Sequence, residues 1–203
     1  MKIFCIGRNY SEHAKEMKSD VPNEPVIFMK PPTALLRNGN PFYLPDFSDE
    51  VHHEVEIIVK ISKNGKHIDP KSAREYYDEI SVGIDFTARD LQAKLKQKGL
   101  PWELSKGFDF SAGIGNWIEF TDEMKSKNLS FHLDINDKTV QKGSTSDMIF
   151  SIDNLIAYIS KYFKIQVGDI IFTGTPVGVS KINSGDVLEA YLEDEKLFYC
   201  EVR

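Results

Sequence analysis

The chain has 203 residues, a formal net charge of −6 and a hydrophobic content of 41%. This length predicts a single domain, residues 1–203. The hydrophobic content excludes a disordered chain, and the acidic balance gives no electrostatic basis for binding nucleic acid or a membrane. No segment approaches the length of a membrane span, so we expect a soluble, cytoplasmic protein.

The chain opens with a predicted strand, Lys2–Ile6, followed by a short polar helix that Ser11 can cap. His13 and Glu16 are three residues apart and share one helix face. A neighbouring carboxylate orients an imidazole and raises its basicity, although an incidental pair on a surface helix is the alternative. The segment has few apolar residues, which predicts weak attachment and favours a lid helix over residues 9–20.

The central feature is a predicted strand over Val51–Ile61, with the sequence VHHEVEIIVKI. Glu54 and Glu56 leave the same face of a strand, and most other positions are apolar, which predicts burial on both faces. Two buried carboxylates cannot both stay ionised at close range without a partner. A hard divalent cation such as Mg²⁺ removes this cost, whereas a solvated face paired with lysine is the alternative.

A third acid, Asp85, lies within another apolar run, Ile80–Phe86. Three acids that are each embedded in β-type sequence predict a three-carboxylate metal site with open positions for a substrate.

Polar groups suited to a substrate follow this strand. Thr87 is the predicted N-cap of a helix over Ala88–Lys98, and Arg89 and Gln92 share a face at its start, close to Asp85. Lys106 lies in the next loop, between Ser and Gly. It suits a substrate carboxylate or an enolate, with a solvated cation as the alternative.

Two hairpins are predicted from turn signals. Asn38–Asn40 is a hairpin-turn signal in the first half of the chain, and Leu129–Asn136 with Lys138–Gln141 predicts a second hairpin in the second half. Ser151 caps a predicted helix whose apolar stripe is typical of core packing. The loop Thr173–Val179 presents N–H and hydroxyl donors to an anion, but it lacks the ending of a Walker loop.

The sequence resembles the fumarylacetoacetate hydrolase (FAH) superfamily in eight segments that are distributed over nearly the whole chain: GRNYSEHAKEM, FMKPPTAL, HHEVEIIVKI, GIDFTARDLQ, KGLPWELSKGFD, MIFSIDNLIAYIS, GDIIFTGTPVGV and GDVLEAYL. It is most similar to the short FAH-domain-containing branch of acylpyruvases and oxaloacetate decarboxylases. The resemblance implies an α+β, β-rich fold, a mixed β-roll of the FAH C-terminal domain type with a few short peripheral helices. It also implies a homodimer.

The same resemblance implies roles for individual residues. The metal, Mg²⁺ or Mn²⁺, would be held by Glu54, Glu56 and Asp85. The catalytic groups would be His13, Glu16 and Lys106, with His13 and Glu16 as a dyad on the lid. The substrate would be bound by Lys30, Arg89, Gln92 and Thr175, and Thr175 would contact its carboxylate. His53 would support the metal ligands from behind.

The implied activity is that of a metal-dependent hydrolase or lyase acting on a small 2-keto acid. Cleavage of a 3-acylpyruvate by water activated at His13 would give pyruvate and a carboxylic acid, whereas oxaloacetate would lose CO₂. Both reactions pass through a pyruvate enolate, stabilised by the metal and Lys106. The alternative is an isomerase or keto–enol tautomerase of 2-hydroxy or 2-oxo dicarboxylic acids, of the 2-hydroxyhepta-2,4-diene-1,7-dioate isomerase type. A non-catalytic binding domain would have little reason to keep the dyad together with Lys106 and Gln92.

Overall fold

The computed structural model describes residues 1–16 and 21–203. The strands within them are β1 Ile3–Gly7, β2 Val26–Lys30, β3 Leu35–Arg37, β4 Val51–His53, β5 Val55–Ile61, β6 Tyr77–Asp85, β7 Thr87–Ala88, β8 Ala112–Ile114, β9 Ile118–Glu119, β10 Ser130–Ile135, β11 Lys138–Ser144, β12 Ile170–Phe172, β13 Ser180–Lys181, β14 Val187–Leu192 and β15 Glu195–Glu201. The α-helices are α1 Ser11–Glu16, α2 Arg89–Gln97, α3 Glu103–Lys106, α4 Asp122–Lys125 and α5 Ile152–Tyr162. Short 3₁₀ helices cover Pro32–Ala34, Pro70–Tyr76 and Thr145–Asp147.

The described strands form three sheets. The largest has the order β2-β1-β12-β5-β6-β8-β3, with β9 added beside β6. It is mixed, because β1 with β12 and β3 with β8 are parallel and the other pairs are antiparallel. A four-stranded antiparallel sheet has the order β11-β10-β14-β15, and a small sheet has the order β13-β4-β7. The predicted β-rich α+β architecture is therefore confirmed.

The single strand predicted over Val51–Ile61 is wrong in one respect. The chain leaves the small sheet after His53 and enters the large sheet at Val55, so Glu54 lies at the junction of β4 and β5. The main chain of Glu54 is held there because its carbonyl accepts a hydrogen bond from the Asp85 N–H at 2.8 Å. The predicted burial on both faces of β5 is confirmed, since six of its seven residues are buried.

The predicted second hairpin is confirmed by β10 and β11, which join through Asn136 and Asp137. Both turn residues have positive φ, 51° and 62°, as a tight two-residue hairpin turn requires. The hairpin predicted at Asn38–Asn40 is wrong. The preceding strand β3 pairs in parallel with β8, and the chain after the turn runs beside the C-terminal segment, with Phe42 next to Val202.

Helix α5 covers the core as its apolar stripe predicts. Ser151 caps it by accepting a hydrogen bond from the Asn154 N–H, and Leu155, Ile156 and Ile159 are fully buried. One hydrophobic cluster extends from Phe4 to Val202 and so joins both ends of the chain to the sheets. No helix in the described part of the chain is both long and apolar enough to cross a bilayer.

Candidate active site

The three predicted metal ligands meet at the heart of the large sheet. Glu54 and Glu56 flank the first residue of β5, and Asp85 ends the neighbouring strand β6. They are 5%, 2% and 1% exposed, and one carboxylate oxygen from each lies within 4.8 Å of the others. Gly83 stands opposite Glu56, where a Cβ atom would come within 2.7 Å of a backbone oxygen. The strand pairing thus gathers three hard oxygen donors, the ligand chemistry that Mg²⁺ and Mn²⁺ prefer.

Lys106 lies against two of these carboxylates. Its Nζ donates to Glu54 Oε2, Asp85 Oδ2 and Thr87 Oγ1, each at 2.7 Å. Burial acts to lower the pKa of Lys106, but the charges of Asp85 and Glu54 outweigh it and raise the pKa above its usual value. The ammonium group is therefore a permanent cation at the edge of the carboxylate cluster.

A second cation, Arg89, approaches Glu54 from the first residue of α2. Its Nη2 lies 2.5 Å from Glu54 Oε1, and its Nη1 donates to Gln92 Oε1 at 2.6 Å. The predicted proximity of Arg89 and Gln92 to the acidic cluster is therefore observed. Thr87 is not the N-cap of this helix. It lies in β7, where its backbone pairs with His52 of β4, and its hydroxyl donates to the Asp85 carbonyl.

Lys30 lies behind the cluster rather than in the cleft. It is 1% exposed, and its Nζ is 2.7 Å from Asp85 Oδ1 and 3.0 Å from the Ser111 carbonyl. It is not among the residues that line the cleft. The resemblance implied that Lys30 binds the substrate, but the structure does not bring Lys30 into the cleft. Lys30 instead neutralises Asp85 from the protein interior.

The two glutamates have opposite electrostatic environments. Burial acts to raise the pKa of Glu54, but Lys106 and Arg89 overcome it and hold the pKa well below the usual range. Burial, together with the charges of Asp85 and Glu54, raises the pKa of Glu56 well above that range. Glu56 accepts the Gly174 N–H at 2.6 Å, and no lysine or arginine of the described residues pairs with it. A divalent cation would fit at this uncompensated carboxylate.

Thr175 lines the cleft, but its hydroxyl proton is already engaged. Thr175 Oγ1 donates to the Val55 carbonyl at 2.8 Å and accepts from Gln141 Nε2 at 3.1 Å. A hydroxyl has one proton to donate, so in this arrangement Thr175 cannot donate to a substrate carboxylate. The hydroxyl instead ties the loop to β5, the strand that carries Glu56.

His53 supports this loop through Gln141. Its Nδ1 lies 2.7 Å from Gln141 Oε1, and its Nε2 lies 2.8 Å from Ser180 Oγ. Burial lowers the pKa of His53 to about 4, so the imidazole is neutral. The sequence analysis missed Gln141, whose signal is a polar side chain at an inward-facing position of β11.

His13 reaches the cleft from α1. Its Nδ1 lies 2.9 Å from Glu16 Oε2, and because a carboxylate can only accept, Nδ1 carries a proton; in the neutral imidazole the lone pair is then on Nε2. Glu16 Oε1 also accepts the Gly178 N–H at 3.1 Å. The predicted dyad is therefore in place on Ser11–Glu16. Residues 17–20 of the predicted lid lie outside the described residues.

One cleft unites most of these groups. Of the predicted site residues it is lined by His13, Glu54, Glu56, Asp85, Arg89, Gln92, Lys106 and Thr175. It is also lined by Arg8, Phe28, Lys96 and Trp102, which the sequence analysis did not assign. Arg8 follows β1 in a left-handed backbone conformation, with φ of 61°. The arrangement is a small polar cleft that contains the carboxylate cluster and is also lined by His13 of helix α1.

Comparison with known proteins agrees with this geometry. Residues 2–202 match the family described as fumarylacetoacetate (FAA) hydrolase C-terminal. Oxaloacetate tautomerase YcgM of Escherichia coli K12 is 42% identical over 97% of this chain and 90% of its own length. The mitochondrial oxaloacetate tautomerase fahd-1 of Caenorhabditis elegans is 40% identical, over 96% of this chain and 91% of its own length. A fumarylpyruvate hydrolase from Pseudomonas aeruginosa, solved in complex with Mn²⁺ and pyruvate, superposes with a TM-score of 0.93 at 31% identity, covering 100% of this chain and 89% of that one. The predicted resemblance and roll-type fold are confirmed, and the chain belongs to the fumarylacetoacetate hydrolase family of enzymes.

Proposed function

We propose that this enzyme interconverts the keto and enol forms of oxaloacetate by proton transfer at C3. The observation that carries the proposal is the convergence in one cleft of the carboxylate cluster, the Lys106 ammonium and an oriented imidazole with a lone pair. Two relatives at 40–42% identity, named oxaloacetate tautomerases, support this choice over the cleavage reactions that the sequence resemblance implied.

Glu54, Glu56 and Asp85 would hold a Mg²⁺ or Mn²⁺ ion. The donor set fits, because three buried carboxylates converge and Glu56 has no other cation among the described residues. The bound ion would act as a Lewis acid toward the oxygens of the 2-oxo acid. The Mn²⁺ in the Pseudomonas aeruginosa hydrolase supports this assignment.

His13 would act as the base at C3. Its Nε2 removes a proton from the carbon between the two carbonyl groups of oxaloacetate, and Glu16 holds the ring and stabilises the imidazolium that forms. The electron pair of the broken C–H bond forms the double bond between C2 and C3, and the π pair of the 2-oxo group moves to its oxygen. Lys106 donates its three N–H protons to Glu54, Asp85 and Thr87, so its positive charge would stabilise the enolate through space rather than by a hydrogen bond. Protonation of the oxygen gives the enol, and protonation of C3 returns the keto form.

Arg89 and Gln92 would orient the substrate. They are hydrogen-bonded to each other at the start of α2, and both side chains face the cleft. A guanidinium presents paired donors that match a carboxylate, so Arg89 suits the carboxylate next to the 2-oxo group. This fixes the reacting carbon relative to His13.

The second candidate is cleavage of an acylpyruvate by water. The His13–Glu16 dyad favours it, because an imidazole oriented by a carboxylate can equally remove a proton from water. Water adds to the distal carbonyl, the bond between C3 and C4 breaks, and its electron pair forms the pyruvate enolate, which takes up a proton at C3. Decarboxylation of oxaloacetate leaves the same enolate without a water. The similarity to a fumarylpyruvate hydrolase supports this candidate.

One assay separates these reactions. Enol oxaloacetate is added to the protein with Mg²⁺ or Mn²⁺, and loss of enol absorbance and release of pyruvate are followed in the same sample. A parallel sample receives fumarylpyruvate, and a third contains EDTA. Tautomerisation predicts rapid, EDTA-sensitive loss of enol without pyruvate. Pyruvate formed as fast as the enol disappears would instead support the second candidate, and no acceleration in any sample would refute both.

A further inference from the structure

We propose that Arg8 and Lys96 bind the second carboxylate of the substrate, and that they select dicarboxylic 2-oxo acids over equally long chains with a neutral end. This inference rests on the proposed function, because it assigns the outer part of the same cleft.

The first argument is charge. Four cationic side chains line the cleft: Arg8, Arg89, Lys96 and Lys106. Arg89 and Lys106 are already paired with Glu54 and Asp85. Within residues 1–16 and 21–203, the Arg8 and Lys96 side chains take part in no ion pair or hydrogen bond. Two cationic groups at a ligand cleft are thus left uncompensated, and an anionic group of the ligand is the complementary partner.

The second argument is the geometry of α2. Arg89, Gln92 and Lys96 are spaced i, i+3 and i+7, which places them on one helix face. A rise of 1.5 Å per residue puts the Lys96 Cα roughly 10 Å along the helix axis from that of Arg89. Helical side chains lean toward the N-terminus, so the long Lys96 side chain covers part of this span. The helix therefore presents one cation at the carboxylate cluster and a second farther along the same face of the cleft.

The third argument is the conformation of Arg8. A non-glycine residue with φ of 61° is rare, and such strained backbone is concentrated at functional sites. Burial, followed by the charges of Arg8 and Arg89, lowers the pKa of Lys96 below its usual value. The cations are therefore close enough to repel each other, and a bound carboxylate between Arg8 and Lys96 would remove that repulsion.

The cleft also offers a surface for the carbon chain between two carboxylates. Phe28 and Trp102 line it with ring centroids 5.9 Å apart. A short, flat, unsaturated or enolised chain with an anionic group at each end matches this surface.

The test compares pairs of unreactive 2-oxo acids that differ only at the far end. Binding to the Mn²⁺-loaded protein is measured by calorimetry for 2-oxoglutarate against 2-oxopentanoate, and for 2-oxoadipate against 2-oxohexanoate. We expect the diacid to bind at least about 10-fold more tightly in one or both pairs. Lys96→Met should remove most of this preference while affinity for the neutral-ended acid stays unchanged.

Two further variants make the test specific. Lys94 lies on the same helix but is exposed and outside the cleft, so Lys94→Met should retain the full preference. Arg8→Asn removes the guanidinium with a residue that tolerates left-handed backbone, and it should weaken diacid binding as Lys96→Met does. Thermal melting checks that each variant is folded.

Equal binding within both wild-type pairs would overturn the inference. So would an equal loss in Lys94→Met, because the preference would then come from general positive charge. These readouts do not require turnover. A diacid preference that depends on Lys96, in a protein without oxaloacetate tautomerase activity, would sustain the inference and refute the proposed function.

Discussion

The base of the cleft and helix α1 carry the two halves of the proposed chemistry, but they are supported very differently. Glu54, Glu56 and Asp85 are buried at strands in the middle of an eight-stranded sheet. Helix α1, Ser11–Glu16, is short and largely exposed. The cation-binding side is thus built into the core, whereas the proton-transfer side is an accessory to it. Mutations at the base should change metal binding, and also stability where they leave a buried cation without its partner, whereas mutations in α1 should change turnover alone.

The largest loss of stability should follow Asp85→Asn, because Asp85 is the most buried of the three carboxylates. Asp85 is the carboxylate that pairs with the buried Lys30, and it also pairs with Lys106. Leaving a buried cation without its partner costs about 3–5 kcal/mol. We expect a loss of that size in the free energy of unfolding of the metal-free protein, measured in urea, together with loss of Mn²⁺ binding.

Glu56→Gln is the matched control for this variant. Glu56 pairs with no described lysine or arginine, and the neighbouring acids raise its pKa, so its removal leaves no buried cation uncompensated. We expect the metal-free Glu56→Gln protein to be at least as stable as wild type, although Mn²⁺ binding is lost. A destabilisation equal to that of Asp85→Asn would contradict the assigned ion pairs.

His13→Ala sharpens the comparison from the other side. Removing a general base should lower kcat by about 10²–10⁴-fold. Because α1 contributes little to the core, the urea midpoint and the Mn²⁺ dissociation constant should stay at wild-type values. Glu16→Gln leaves one oxygen for the two groups that Glu16 now accepts, His13 Nδ1–H and the Gly178 N–H, so it should also lower kcat, through loss of the orientation of the imidazole. Unchanged kcat in His13→Ala would remove the imidazole from the mechanism.

The smallest effect concerns pH. Burial lowers the pKa of His53 to about 4, from 6.5 in the unfolded chain. Below pH 6.5 the unfolded chain takes up a proton that folded His53 does not, so stability is full above that pH and falls as pH drops toward 4. This contribution is at most about 3 kcal/mol. His52 has a pKa lowered to about 4 in the same way. His52 and His53 together make the free energy of unfolding fall as pH drops from 6.5 to 4. His53→Gln should therefore lose about half of this pH dependence, measured by urea titrations at several pH values in that range. An unaltered pH dependence would show that His53 is protonated equally in both states.

The acids in apolar β-type segments were enough to predict the carboxylate cluster, whereas the spacing of His13 and Glu16 left an incidental pair open and the family resemblance implied the dyad. Glu54, Glu56 and Asp85 stand in apolar β-type segments, and the i, i+3 spacing of His13 and Glu16 fixes their shared face. Both are local sequence patterns. The pairing of β5 with β6 then places Glu54 and Glu56 next to Asp85.

Other features depend on contacts that local patterns do not contain. The change of sheet at Glu54 follows from pairing with two sets of partner strands, β13 and β7 before it and β12 and β6 after it, and these pairings are long-range contacts. The wrong N-cap at Thr87 arose because a capping pattern does not show that a buried lysine will take the hydroxyl. Gly7 and Asn9 indicate a turn, but Arg8 was missed because the left-handed φ falls on the arginine between them, a residue type that rarely adopts it.

Lys106 has a consequence for the order in which the enzyme is assembled. Its ammonium group, with Lys30 and Arg89, already supplies positive charge to Glu54 and Asp85, and Glu56 can remain protonated. The protein's own lysine and arginine side chains therefore act as counterions for these carboxylates, so we expect the core to fold without a divalent ion. This differs from small zinc domains, which are unfolded without metal. Because burial and the neighbouring acids raise the pKa of Glu56, a proton competes with the ion for this carboxylate when the ion binds to the folded protein.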